Sequence, residues 1–197
     1  MTLVIVQKKD DNISFSSDSR ISFGKNLNPF DYGIKVFSIP VKIYSPVCNE
    51  NGESTLDYGY SLGLAICGGA VNSYTIKESI CEILLNLQHV PSSSLSMDKI
   101  ARLVFNVFKS VSEALCDSMK NGNSLSQIVL GGYCKQSNKI RVFKFSPIPS
   151  IDPLDKNYSY CHCEILKNKG DIEFFGTGRM EAISIFDANN GLTPLHI

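Results

Sequence analysis

Three residue types near the start of the chain could together break an acyl bond: a threonine hydroxyl, a carboxylate and a lysine. Thr2 stands directly behind Met1 in MTLVIVQKKDDNISFSSDSR, Asp18 opens the DSR that follows, and Lys35 lies within GIKVF. A threonine hydroxyl is a weak nucleophile until a base takes its proton, and a residue at a chain terminus has such a base in its own α-amino group. That amine titrates at about 7.7–8.0 when unperturbed, so part of it is neutral near pH 7. A neighbouring lysine cation lowers the value further. A carboxylate would hold lysine and threonine in place, and backbone amides would receive the oxyanion. Each residue also has an ordinary use. Threonine is common in strands, an aspartate after a strand caps turns, and a lysine on an edge strand is solvated. The catalytic reading requires that Met1 be removed.

The elements that would carry these residues follow from pattern. Thr2–Gln7 is a β-rich run, Lys8–Asn12 supplies turn residues and Ile13–Ser17 alternates, which predicts a hairpin. Ile34–Tyr44 reads as a strand or pair of strands interrupted by Pro40, and Cys48–Tyr58 as a surface insertion. Ser61–Cys67 is a short apolar strand running into Gly68-Gly69. Helical spacing over Asn72–His89 places Ile76, Ile80, Ile83, Leu84 and Leu87 on one face. A second helix, capped by Ser96, carries a stripe from Ile100 to Met119 and ends at Asn121-Gly122-Asn123. Strands return at Gln127–Cys134, Lys139–Phe145, Tyr158–Leu166 and Asp171–Phe175, with a proline-rich connection over Ser146–Pro153. Gly176-Thr177-Gly178 leads into a short final helix. Two consecutive helices between blocks of strands predict an α+β fold rather than alternating βαβ units.

Composition narrows the function classes. The 197 residues suit a single domain, residues 1–197, with no repeats. Lys and Arg balance Asp and Glu at 19 each, so no general attraction to nucleic acid or an anionic membrane is expected. The apolar runs fall well short of the ~20 residues that span a bilayer. Gln7-Lys8-Lys9-Asp10-Asp11 interrupts the first such run, so a signal peptide is not expected and a cytoplasmic location is. The seven cysteines fit buried free thiols. Cys161-His162-Cys163 is the one local cluster with metal-ligand character, but in a strand its side chains diverge. No metal and no cofactor is expected.

The ordered run TLVIV, SSDSR, GIKVF, AICGGAVNSYTIKESICEIL and GTGRMEA resembles the proteasome β-subunit family. It looks closest to the bacterial HslV-type peptidases and their ancestral-β-subunit relatives. The resemblance spans roughly Thr2 to Ala182 and implies the four-layer αββα sandwich of N-terminal-nucleophile hydrolases. It implies that Thr2 is the nucleophile of a threonine peptidase, with Asp18, Lys35, Gly68 and Thr177 completing the catalytic set. Lys35 would keep the Thr2 amine largely neutral, Asp18 would orient Lys35, and the Gly68 N–H would face the oxyanion. Thr177 would hydrogen-bond near the amine, Arg20 and Gly69 would give support, and Ile66 and Ala70 would line an apolar substrate pocket. A peptide or unfolded protein substrate, a ring-shaped homo-oligomer and an ATP-dependent unfoldase are the implied partners.

The sequence departs from that family in two places. Asn72 replaces an aspartate common after the glycine pair, and only Ile183–Ile197 follows GTGRMEA, where the family usually has a further helix and strands. The short stretch after GTGRMEA, together with a Met1 that stays in place, would describe a catalytically inactive proteasome-like structural subunit, the alternative. An amidase with the same nucleophile acting on a small non-peptide substrate is a third reading.

Overall fold

The computed structural model describes residues 2–21, 28–46, 55–88, 95–119, 125–149 and 158–189. Its first strands, β1 (Val4–Lys9) and β2 (Asn12–Ser17), form an antiparallel hairpin in which Val4 faces Ser17 and Lys9 faces Asn12. The turn places Asp10 at φ 49°, a left-handed conformation that aspartate tolerates better than most residues. Seven further strands are described: β3 (Val36–Tyr44), β4 (Leu56–Gly68), β5 (Leu87–Gln88), β6 (Ser126–Cys134), β7 (Lys139–Pro149), β8 (Tyr158–Ile165) and β9 (Ile172–Phe175). The helices are α1 (Ala70–Leu85), α2 (Met97–Met119) and α3 (Arg179–Asn189).

The strands sort into two sheets. One has the order β2-β1-β9, and the other β5-β3-β4-β6-β7-β8. Alternation along the long strands of the larger sheet gives it two apolar faces. On one face Ile39, Val41, Leu62, Leu64, Ile128, Leu130, Phe143 and Phe145 pack with Ile76, Ile80 and Leu84 of α1 and Ile100, Val104 and Phe108 of α2. The intervening residues Ala65, Cys67, Val129 and Val142 turn the other way and meet Val4, Val6 and Phe175 of the smaller sheet. Each fully buried aliphatic or aromatic side chain in these clusters stabilises the fold by about 1.5–3 kcal/mol. On the smaller sheet, Phe186 of α3 lies edge-on to Phe174 of β9 with ring centroids 5.7 Å apart. The chain is therefore α+β, as the order of elements predicts.

Several expectations need correction. Pro40 does not interrupt its strand. It sits opposite Ser61 inside a continuous β3, whose other edge pairs, among the described residues, only at Ile43 and Tyr44 with β5. An edge position is where a residue without an N–H is tolerated. Residues 146–149 are not a connection but the end of β7, paired with β8 from Ser146 opposite Cys161 onward. The helix expected to reach His89 ends at Leu85, where the Asn86 N–H bonds to the Ile83 carbonyl at 3.2 Å, and Leu87 enters β5. Ile83, in the last turn at the edge of the stripe, is 38% exposed rather than buried. Ser96 caps α2 as expected, its Oγ accepting the Lys99 N–H at 3.3 Å. The expected helix end at Asn121-Gly122-Asn123 and most of the expected insertion Cys48–Tyr58 lie outside the described residues, although 56–58 already belong to β4.

Candidate functional site

The register of the small sheet brings the chain start to Thr177. Val4 lies opposite Phe175 in the antiparallel β1–β9 pair, so two more residues set Thr2 beside Thr177. The Thr2 N–H donates to Thr177 Oγ1 at 2.8 Å, and the Thr2 carbonyl accepts the Gly178 N–H at 3.0 Å. Between these contacts Gly176 adopts φ +90°, and a Cβ built there would stand 2.3 Å from the Thr2 carbonyl oxygen. Only glycine satisfies both the backbone angle and the close approach.

On the other side of β1 the hairpin register sets Leu3 opposite Asp18. The Asp18 N–H donates to the Leu3 carbonyl at 3.1 Å, and the Leu3 N–H donates to Asp18 Oδ1 at 2.7 Å. The same carboxylate oxygen accepts Lys35 Nζ at 2.9 Å. Lys35 also donates to the Arg20 carbonyl at 2.6 Å and is buried, with 5% of its surface exposed. Such a cation is tolerable because it is paired and hydrogen-bonded. Burial pushes the Asp18 carboxyl up, but hydrogen bonds from the Leu3 amide, the Lys35 ammonium and the Arg20 amide outweigh it and hold the group below its ordinary value.

Lys35 immediately precedes β3, whose first residue, Val36, lies opposite Ala65 of β4. The Ile66 N–H donates to the Lys35 carbonyl at 2.9 Å, two residues before Gly68. Gly68 is exposed at φ +108°, and a Cβ there would lie 2.3 Å from the Leu125 carbonyl oxygen. Gly69 donates its own N–H to that carbonyl at 2.9 Å.

Thr2, Asp18, Lys35 and Thr177 are thus joined by consecutive hydrogen bonds. Arg20 meets the group through its backbone, while its exposed guanidinium pairs with Asp31 at 2.7 Å. The Ile66 side chain is buried in the core between the larger sheet and its helices, and Ala70, the first residue of α1, is half-buried. A cavity of about 420 Å³ lies at the opposite end of the larger sheet, lined in part by Tyr58, Tyr60, Met97 and Cys134. In β8, His162 stacks on Phe145 at 6.1 Å with rings 13° from parallel, whereas Cys161 meets Ser146 Oγ at 3.4 Å. Among the described residues no group of three or more His, Cys, Asp or Glu side chains is arranged to hold a metal ion. None of the described helices is long and apolar enough to cross a membrane.

Sequence reasoning gave no role to Leu3, Gly176, Gly178 or Tyr74. The glycines flanking Thr177 were a usable signal, since two glycines around a polar residue mark a close backbone approach. The Leu3 amide carries no signature in the sequence.

No family model and no curated protein matches the sequence. The fold is similar to solved structures of Anbu, the ancestral β-subunit. The Anbu protein from Yersinia bercovieri aligns with TM-score 0.58 at 16% identity, covering 99% of this chain and 69% of that one. A helical assembly of the Anbu complex from Pseudomonas aeruginosa aligns with TM-score 0.59 at 16% identity, covering 98% and 68%. Anbu from Hyphomicrobium sp. strain MC1 aligns with TM-score 0.53 at 14% identity, covering 90% and 61%. These likenesses concern the fold. They correct the assignment to the proteasome β-subunit and HslV-type family, because Anbu is a proteasome-like relative distinct from both. The motifs behind that assignment could not separate the branches.

Proposed function

We propose that this chain is an N-terminal-nucleophile hydrolase of proteasome-like fold, folded as one αββα domain and cleaving peptide bonds with Thr2 once Met1 is removed. The observation that carries this reading is the hydrogen-bonded series from Thr177 through the Thr2–Leu3 backbone to Asp18 and the buried Lys35. A lysine is rarely buried without a task, and here the buried Lys35 pairs with the half-buried Asp18, whose carboxylate also accepts the Leu3 N–H.

With Met1 attached, the Thr2 nitrogen is a peptide N–H and cannot act as a base. Hydrolysis of the Met1–Thr2 bond frees it as an amine whose neutral fraction the Lys35 cation increases. Thr2 Oγ then attacks the scissile carbonyl while the amine accepts the hydroxyl proton. The oxyanion of the tetrahedral intermediate is received by the Gly68 N–H, the Gly69 N–H being committed to Leu125. Collapse passes that proton to the leaving amine and leaves an ester on Thr2. Water, deprotonated by the same α-amine, releases the acid and restores the hydroxyl. Thr177 Oγ1 holds the amine in line, and Ala70 follows the glycine pair on the substrate side; Ile66, expected beside it, is turned into the core instead of a substrate pocket. The assembly is a homo-oligomer, in a ring or in a helical array of the kind described for the Pseudomonas Anbu complex. Unfolded polypeptide, delivered by an ATP-dependent unfoldase, is the substrate class, and the site is cytoplasmic.

Intact mass of the purified protein should show loss of Met1, and an electrophile selective for N-terminal threonine should add to Thr2. Peptide hydrolysis should vanish in Thr2→Ala. Hydrolysis that persists in that variant, or Met1 retained together with an unlabelled Thr2, refutes the reading; the latter result fits an inactive structural subunit.

A further inference from the structure

The segment that carries Lys35 is held on several sides, and one of the elements that hold it has no part in the mechanism above. Just before it, the Gly33 N–H donates to the Ser19 carbonyl at 2.7 Å. On one side the Lys35 carbonyl accepts the Ile66 N–H of β4 at 2.9 Å. On the other, the carbonyl of the preceding residue, Ile34, accepts the Tyr74 hydroxyl of α1 at 2.6 Å. The Tyr74 ring also stands edge-on to Phe37, two residues after Lys35, with centroids 6.1 Å apart and planes at 81°. Phe37 is held in turn by Lys77, one turn further along α1, whose Nζ lies 5.1 Å from its ring centroid.

We propose that Tyr74 is a positioning residue: its hydroxyl fixes the Ile34–Lys35 backbone and thereby sets where the Lys35 ammonium lies relative to Asp18. The physical case is one of constraint. Ile34 lies two residues before β3 and is 64% exposed, so its own side chain packs little. Between the main-chain bonds of Gly33 and Lys35, the Tyr74 hydroxyl is the side-chain contact that holds its carbonyl. A lysine side chain has several rotatable bonds, and its ammonium is only as well placed as the backbone beneath it. Tyr74 lies in the second turn of α1, behind the Gly68-Gly69 turn. The hydroxyl therefore links the helix that follows the glycine pair to the backbone segment that carries the lysine. This inference rests on the role given to Lys35 above, but its structural half is testable without any activity.

The test is Tyr74→Phe, which keeps the ring against Phe37 and removes only the hydroxyl. Tyr32→Phe, at a ring that is 82% exposed, is the control. The groups that titrate around Lys35 are Asp18 from the hairpin and the Cys67 thiol from β4, while the Arg20 guanidinium is paired with Asp31. Carboxyl carbon NMR of Asp18 reads the lysine directly. Loosening Lys35 should raise the Asp18 pKa by about half a unit or more, as expected when an opposite charge moves out of contact. In protein that has lost Met1 and is active, the Thr2 amine should titrate higher, moving the acidic limb of kcat/KM to higher pH. An Asp18 titration unchanged between Tyr74→Phe and wild type overturns the proposal. A shifted Asp18 titration in a protein that neither loses Met1 nor hydrolyses peptides upholds the clamp while the hydrolase reading fails.

Discussion

Replacing Asp18 by Asn isolates the ionic part of the site. Asn keeps an acceptor for the Leu3 N–H, so the hairpin contact at 2.7 Å survives, and the only charge lost is the one facing Lys35 at 2.9 Å. The cost lies between two limits. An exposed ion pair contributes about 0–1 kcal/mol, whereas stripping the partner from a fully buried charge costs about 3–5 kcal/mol. Here the lysine side chain is 6% exposed and the aspartate 33%, and the Arg20 carbonyl still accepts one ammonium proton. An intermediate figure of about 2 kcal/mol follows. For a chain of this size that lowers Tm by about 4–8 °C. The pH dependence gives the sharper signature. Asp18 has a depressed pKa in the folded state, so its contribution is complete above the unfolded value of about 3.9 and is lost as pH falls through the folded one. The difference between wild type and Asp18→Asn should therefore be full at pH 7 and shrink steadily below pH ~4. Urea unfolding of both proteins from pH 7 down to pH ~2.5 measures it. A difference that is absent at pH 7, or that stays constant down to the lowest pH, refutes the reasoning.

Gly176→Ala adds a Cβ that would stand 2.3 Å from the Thr2 carbonyl oxygen, at a φ of +90°. The left-handed angle alone costs about 1–2 kcal/mol, and a backbone contact that cannot yield should displace Thr2; thermal unfolding and the rate of Met1 removal both report it. The Cys67 thiol is pushed up to about 12, chiefly by burial, so at pH 8 only about one molecule in ten thousand carries the thiolate. Timed alkylation with peptide mapping should modify the exposed Cys163 early and leave Cys67 until the protein unfolds; early labelling of Cys67 would contradict its buried setting.

How much of this was legible in the sequence depended on the range of the interaction concerned. The hairpin of β1 and β2 was readable because its apolar alternation and its turn residues lie within the same short stretch. The α2 stripe was readable because Ile100, Val104 and Phe108 repeat at helical spacing and all three are buried. Pro40 and the prolines at 147 and 149 misled because a proline is judged locally, while its cost depends on whether a neighbouring strand needs its N–H. For β3 the answer lay in which of its residues β5 pairs with, Ile43 and Tyr44 among those described, and for β7 in its pairing with β8, and neither is written near those residues. The candidate site divides in the same way. Thr2, Asp18 and Lys35 could be chosen by side-chain chemistry, since only certain groups serve as nucleophile, carboxylate and cation. The contacts around them are made by the Leu3 and Gly178 amides, the room left by Gly176 and the Tyr74 hydroxyl on a main-chain carbonyl. Every one of those contacts involves the backbone, so the residue type at one end or both is only weakly constrained. A site of this kind announces its reactive groups in the sequence and hides its alignment in the register of the sheets, which is why the register, rather than any one motif, accounts for Thr2 meeting Thr177.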